Sequence, residues 1–253
     1  MDEETTGAAR PRRDFYGRRH GKSLRPNQRR HLAELLPRLS VPLDPAPVDL
    51  ARLFGSERPV WLEIGFGGGE HLAHQALANP GVGLIGCEAF VNGVAMALNQ
   101  IEEAGIEPAG IKRDLPGAAP EATPPPPAGN VRIHAGDARD LLDALADACL
   151  SRVFLLYPDP WPKARHARRR FTSVENLAVL ARVMAPGAEL RVATDIPGYV
   201  EHTREAIAAV PELFETVARD TAAPWSDWHR TRYEAKAIRE GRAPNYLSFL
   251  RRG

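Results

Sequence analysis

The stretch Val60-Trp61-Leu62-Glu63-Ile64-Gly65-Phe66-Gly67-Gly68-Gly69-Glu70 decides the fold. Its first five residues form a compact, mostly apolar run that reads as a buried strand, and the glycines after it end the strand in a tight turn. From Glu70 to about Ala78 the pattern turns helical. Open α/β sheets place ligands at such a strand, turn and helix, because glycines let the backbone approach a group that side chains would exclude and the helix N-terminus faces it.

Outward from this point the chain alternates. Strand Val82–Cys87, helix Val91–Ala104, strand Val131–His134, helix Leu141–Cys149 and strand Val153–Leu156 follow in order. Then come helix Val174–Met184, stopped by Pro186-Gly187, strand Glu189–Ala193, helix Tyr199–Val210, and terminal strands near Phe214–Val217 and Tyr246–Leu250. In the helix Tyr199–Val210, Val200, Thr203, Ala206, Ile207 and Val210 recur at three- and four-residue steps, which is a core stripe. Strands separated by amphipathic helices make a parallel sheet. The expectation is an α/β fold: a Rossmann-like, doubly wound, mostly parallel seven-stranded sheet with helices on both faces and an antiparallel C-terminal strand.

Residues 1–47 read as a basic N-terminal arm and connector, with a short helix at Gln28–Leu36 and a proline-rich run from Pro37 to Pro47. Residues 48–253 read as one domain. Within it, residues 116–129 include the tetraproline Pro124–Pro127, which suits neither a helix nor a central strand and reads as a surface insertion; a linker between two domains is the alternative.

A chain of 253 residues buries roughly 70–75% of its unfolded surface. Its 43% hydrophobic and 26% charged content excludes wholesale disorder, collagen and coiled coil. Thirty-three Lys and Arg against thirty-two Asp and Glu give a net charge of +1, so an anionic partner must meet a local patch rather than bulk charge. Such a patch lies between Arg10 and Arg30, where nine basic residues face the single acid Asp14. Cys87 and Cys149 show no metal-binding spacing, and His71, His74 and His166 have no cysteine partners, so no metal is expected. No signal peptide or membrane span is expected either, and a reducing cytoplasm fits best.

The glycines are spaced G-x-G-x-G, and Glu70 stands where a dinucleotide motif carries Gly or Ala; a carboxylate there repels a pyrophosphate. Nineteen residues beyond Gly69, Glu88 ends the second strand, placed to accept hydrogen bonds from both hydroxyls of a ribose. These features suit a nucleoside cofactor without a pyrophosphate, with a nicotinamide dehydrogenase as the weaker alternative. Here the chain resembles the class I S-adenosylmethionine-dependent methyltransferases. The resemblance implies that Gly65 and Gly67 line the cofactor, that Glu63 serves its amino-acid end, that Glu88 holds its ribose, and that Asp137 of Gly136-Asp137-Ala138 reaches its adenine.

After the fourth strand, Tyr157-Pro158-Asp159-Pro160-Trp161-Pro162-Lys163 puts a carboxylate between two prolines, which fix the backbone around it. Lys163, Arg165, His166, Arg168, Arg169 and Arg170 follow, a cationic cluster suited to a phosphodiester backbone. The stretch Pro158–Arg170 resembles the P-D-P-W-x-K-x-R-H-x-x-R-R hallmark of the bacterial tRNA (guanine-N7)-methyltransferases. Two further hallmarks recur as Ala193-Thr194-Asp195 and Thr231-Arg232-Tyr233-Glu234. Two departures are Tyr157, where the family often has Phe, and Ile196-Pro197 after Asp195, where many members have Trp.

The resemblance implies methyl transfer from S-adenosylmethionine to N7 of guanosine 46 in the variable loop of tRNA. It implies Asp159 as the catalytic residue, also touching the cofactor, and Lys163, Asp195, Thr231, Arg232, Tyr233 and Glu234 as substrate contacts. Guanine N7 carries a free lone pair, so positioning matters more than proton abstraction. Asp159 then orients the N1–H and N2–H2 edge and favours the charge developing on the ring; Asp195 or Glu234 is an alternative reader of that edge. Methylation of an exocyclic amine and a non-catalytic RNA-binding module are the competing functions. Trp225 and Trp228 read first as core packing and second as base-stacking groups.

Overall fold

The computed structural model describes residue 15 and residues 17–44, 46–106 and 129–253. Residues 10–14 of the basic arm and 116–128 of the proline-rich insertion lie outside the described residues. The elements run α1 (Pro26–Glu34), α2 (Leu36–Leu39), α3 (Leu50–Phe54), β1 (Val60–Ile64), α4 (Glu70–Ala78), β2 (Gly83–Cys87), α5 (Val91–Glu103) and β3 (Val131–His134). They continue with α6 (Ala138–Ala144), β4 (Leu150–Leu156), a 3-10 turn (Ala164–Arg169), α7 (Val174–Val183), β5 (Met184–Thr194), α8 (Pro197–Ala208), β6 (Phe214–Thr216), α9 (Arg232–Arg239) and β7 (Asn245–Arg251).

The seven strands form one sheet in the order β3-β2-β1-β4-β5-β7-β6. The first five are mutually parallel, and β7 runs antiparallel to both β5 and β6, as the sequence predicts. From β1 the chain winds outward through β2 and β3, then returns to the other side of β1 with β4 and β5. That reversal opens a crevice beyond the carboxyl ends of β1 and β4. Registers Ile64↔Cys87, Cys87↔His134 and Ile64↔Leu155 bring those ends level, so the loops after β1, β2, β3 and β4 share one rim.

Side chains alternate across the sheet and build a core on each face. Leu62, Ile64, Ile85, Val153 and Val192 pack with Leu141, Leu177, Leu180 and Tyr199 on one side. Leu84 and Ile133 pack with Leu72, Val94, Leu98 and Ile101 on the other. The arm's helices join this second face: α1 lies on α5, with Nε2 of His31 2.8 Å from Oε2 of Glu102, and Leu39 of α2 is wholly buried.

Several elements differ from the sequence expectation: α3 has no forecast there, and β4 starts at Leu150 rather than Val153. Helix α6 starts at Ala138 rather than Leu141, because Asp137 caps it by accepting from the Arg139 amide at 3.0 Å, and it ends at Ala144. Strand β5 begins at Met184, and Pro186-Gly187 lies inside it where the pairing with β4 shifts register, so this pair bends the strand instead of delaying it. Helix α9 has no forecast in the periodicity, since half of Arg232–Arg239 is charged; the Thr231 hydroxyl sets its start by accepting from the Glu234 amide at 3.2 Å.

Candidate active site

The crevice beyond β1, β2, β3 and β4 holds a cavity of about 430 Å³. That volume falls in the range of small-molecule and cofactor sites, roughly 300–1,000 Å³. Its floor is Ile64, Cys87, Ala138 and Leu155, and its rim carries Gly65, Glu88, Asp137, Tyr157, Asp159, Trp161 and Tyr233. Four loops distant in sequence therefore converge, and Gly65, Glu88, Asp137 and Asp159 come together as the sequence predicts.

Gly65 lies at φ +73°, and a Cβ built there meets nothing within 4 Å, so its backbone is open to a ligand. Glu88 accepts from the amides of Gly67 and Phe90, one to each oxygen, both at 2.9 Å. A carboxylate has about four acceptor sites, so capacity remains for two hydroxyl donors. Burial pushes the Glu88 carboxyl above its usual 4.5; those amides oppose the shift, and the nearby charge of Asp159 adds to it. Asp137 is held by the Arg139 guanidinium at 2.6 Å as well as by the cap. An apolar floor with carboxylates at the ends of the second and third strands fits an adenosine-containing cation.

Asp159 is an exposed residue at the cavity rim; desolvation by the surrounding protein raises its carboxyl above 3.8, and the positive charge of Arg18 works against that. The loop carrying it is tightly specified. Tyr157 (φ 50°) and Trp161 (φ 40°) adopt left-handed conformations on either side of Pro158-Asp159-Pro160, a costly arrangement of a kind that concentrates at functional sites. Arg170 holds the turn from beneath: Nε donates to the Pro160 carbonyl at 3.0 Å, NH2 to that of Trp161 at 3.3 Å, and NH1 to that of Gly198 at 3.0 Å. Arg169 lies over the Trp161 ring, 4.9 Å from its centroid. The cationic run is thus divided: Arg170 supports the turn, Arg168 and Arg169 line the cavity, and Lys163, Arg165 and Arg168 are exposed.

Other predicted site residues lie elsewhere. Glu63 alternates onto the face of α4, is buried, and bonds His71 Nδ1 at 2.8 Å; it is not among the residues lining the cavity. Thr231 and Glu234 are buried at the base of α9, where Glu234 accepts from Trp228 Nε1 at 2.6 Å and from the Tyr246 hydroxyl at 2.7 Å. Tyr233 lines the cavity, while Arg232 leaves it to pair with Glu70. Asp195 stands half-buried at the end of β5, paired with Arg242. Trp225 is buried, donating to Ser248 Oγ at 2.8 Å, so it belongs to the core.

The arm supplies groups that sequence reasoning did not single out. Phe15, Gly17 and Arg18 line the cavity. Asn92, at the start of α5, holds the arm by accepting from the Gly21 amide and donating to the Lys22 carbonyl, both at 2.7 Å, and the Val91 amide donates to the Arg19 carbonyl at 3.0 Å. Basic charge marked the arm as a ligand surface; its dock, an asparagine seventy residues away, carries no local signal.

A family model described as "Putative methyltransferase" matches residues 57–246. The "tRNA (guanine-N(7)-)-methyltransferase" of Paracoccus denitrificans is 53% identical over 250 residues, covering 96% of each chain. That of Cereibacter sphaeroides is 51% identical, covering 95% of this chain and 92% of its own, and that of Ruegeria pomeroyi 52%, covering 96% of both. Among solved structures, the 16S rRNA methyltransferase KamB superposes with a TM-score of 0.52 at 16% identity, covering 81% of this chain and 93% of its own, a likeness of fold. With half of its residues shared along nearly the whole length, and with the glycine turn, the Pro158–Arg170 stretch and the Thr231–Glu234 segment gathered around one sheet edge, the chain belongs to the tRNA (guanine-N7)-methyltransferase family.

Proposed function

We propose that this protein transfers a methyl group from S-adenosylmethionine to N7 of guanosine in tRNA, at position 46 of the variable loop, in the cytoplasm. The observation that carries the reading is Asp159, held between two left-handed residues on the rim of a cavity whose floor and carboxylates fit an adenosyl group.

Gly65 lets the backbone meet the cofactor, Glu88 accepts from its ribose hydroxyls, and Asp137, behind its Arg139 partner, faces the adenine end. When bound, S-adenosylmethionine supplies an electrophilic methyl group on a positively charged sulfur. Guanine N7 would bond to that methyl group through its own lone pair as the carbon–sulfur bond breaks and the neutral thioether leaves, so no proton is removed and no base is needed. Positive charge passes to the purine ring, and the carboxylate of Asp159 balances it while accepting from N1–H and N2–H2. Tyr233 and Trp161 border this space. Exposed Lys163, Arg165 and Arg168, with Arg18 from the arm, offer cations to the phosphates on either side of the target nucleotide. Glu63, Thr231 and Glu234 act in this reading as supports, since their polar atoms are engaged within the protein.

The test is to incubate the protein with labelled S-adenosylmethionine and tRNA lacking the N7 modification, digest the RNA and identify the nucleoside. Label in 7-methylguanosine from the variable loop is expected. Label in an exocyclic amine reassigns Asp159, and no transfer despite cofactor binding removes tRNA as the substrate.

A further inference from the structure

The glycine turn after β1 is where a sequence reading seats the cofactor, yet three of its four glycines are filled by the protein's own side chains. A Cβ on Gly67 would stand 2.7 Å from the Tyr233 ring, one on Gly68 would overlap the Arg232 guanidinium, and one on Gly69 would overlap Ala97 of α5; only Gly65 of the four is open. Arg232 is anchored where it lies: it pairs with Glu70 at the first position of α4, and its NH1 points at Met96 Sδ, 3.2 Å away. The helix that delivers both side chains is itself fixed, by the Thr231 cap and by Glu234 bonded to Trp228 and Tyr246. From the turn the contacts continue to the rim, since the Gly67 amide donates to Glu88.

We propose that Arg232 and Tyr233 are positioning residues for the cofactor: they press the glycine turn into its ligand-ready conformation and so hold Glu88, before any tRNA is bound. The inference rests on the reading that this cavity takes S-adenosylmethionine. A turn of four glycines, two of its members at φ +56° and +81° where they touch α9 and α5, has more conformational freedom to lose than any other segment of its length. Side chains that occupy the space left by the missing Cβ atoms remove that freedom in advance, and preorganisation of this kind raises affinity without adding a contact to the ligand. The Thr231–Glu234 segment thereby serves the cofactor through the loop, although Arg232 itself turns away from the cavity toward Glu70.

The experiment is calorimetric titration of S-adenosylmethionine into the full chain without tRNA, comparing wild type with Arg232→Ala, Gly68→Ala and the double variant. Each single change is expected to weaken binding about tenfold, and the double variant to bind no more weakly than either single, because a Cβ at position 68 and the guanidinium compete for one space. Arg232→Ala binding the cofactor as wild type does, with only its KM for tRNA raised, overturns the proposal and leaves Arg232 a substrate contact. Additive losses overturn it as well, since Gly68 would then face the ligand. Should Arg232→Ala fail to fold, Gly68→Ala decides alone: full affinity refutes the clamp. Failure of the wild-type protein to bind refutes the cofactor reading, and wild-type binding with unaffected variants refutes the clamp only.

Discussion

Asp159 sits between two prolines whose rings fix φ, and its neighbours on the outer side of each are the left-handed Tyr157 and Trp161. Among the described residues the side chain is therefore aimed by backbone geometry rather than by hydrogen bonds. Asp159→Ala is expected to abolish methyl transfer while cofactor affinity stays within a few-fold; near wild-type turnover removes the catalytic assignment. Glu88 gives a pH dependence of known sign. Burial raises its pKa above 4.5, so as pH falls the free protein takes up this proton earlier than an ordinary glutamate would. A cationic cofactor prefers the ionised form, so its dissociation constant should rise as pH falls through that raised pKa. Titrations through that pKa with wild type and Glu88→Gln test it: a flat wild-type profile takes Glu88 out of the binding site.

At the level of elements, two short segments hold the site. The first is the turn gripped by Arg170, whose planar fork reaches two carbonyls that an ammonium cannot serve together. Arg170→Lys should lower kcat at least about tenfold while the cofactor dissociation constant stays near wild type; unchanged kcat means the turn is held without it. The second is α9, whose base is the buried Glu234. Glu234→Ala removes the acceptor of the buried Tyr246 hydroxyl and of the half-buried Trp228 indole, and a buried donor without a partner costs about 1–3 kcal/mol. Denaturant unfolding should show a loss of at least that size, and equal midpoints for variant and wild type would place Glu234 outside the structural framework. Half of Arg232–Arg239 is charged and only Glu234 and Ala237 of it are buried, so the helix is too short and too polar to announce itself and is fixed by its cap and by one buried carboxylate.

Over the whole molecule, the arm brings a basic segment to the cavity rim in a chain whose net charge is only +1. Removing residues 1–24 leaves α1 and its His31–Glu102 contact in place. The truncated protein should bind tRNA more weakly and with a shallower dependence of log affinity on log salt, because fewer counterions are released; an unchanged slope in filter binding excludes the arm from the interface. The sheet, its winding and its antiparallel end were legible in the sequence because apolar periodicity is a local signal, and the glycine turn and Pro158-Asp159-Pro160 announced themselves as backbone constraints. Tertiary structure alone decided which polar groups face the cavity. The alternation of β1 turns Glu63 onto α4 and His71, Arg232 crosses to Glu70, and Asn92 catches the arm. These pairings join residues 8, 162 and 71 positions apart; composition and spacing report where the chain bends, but a charged side chain's partner is set by which elements the fold makes neighbours.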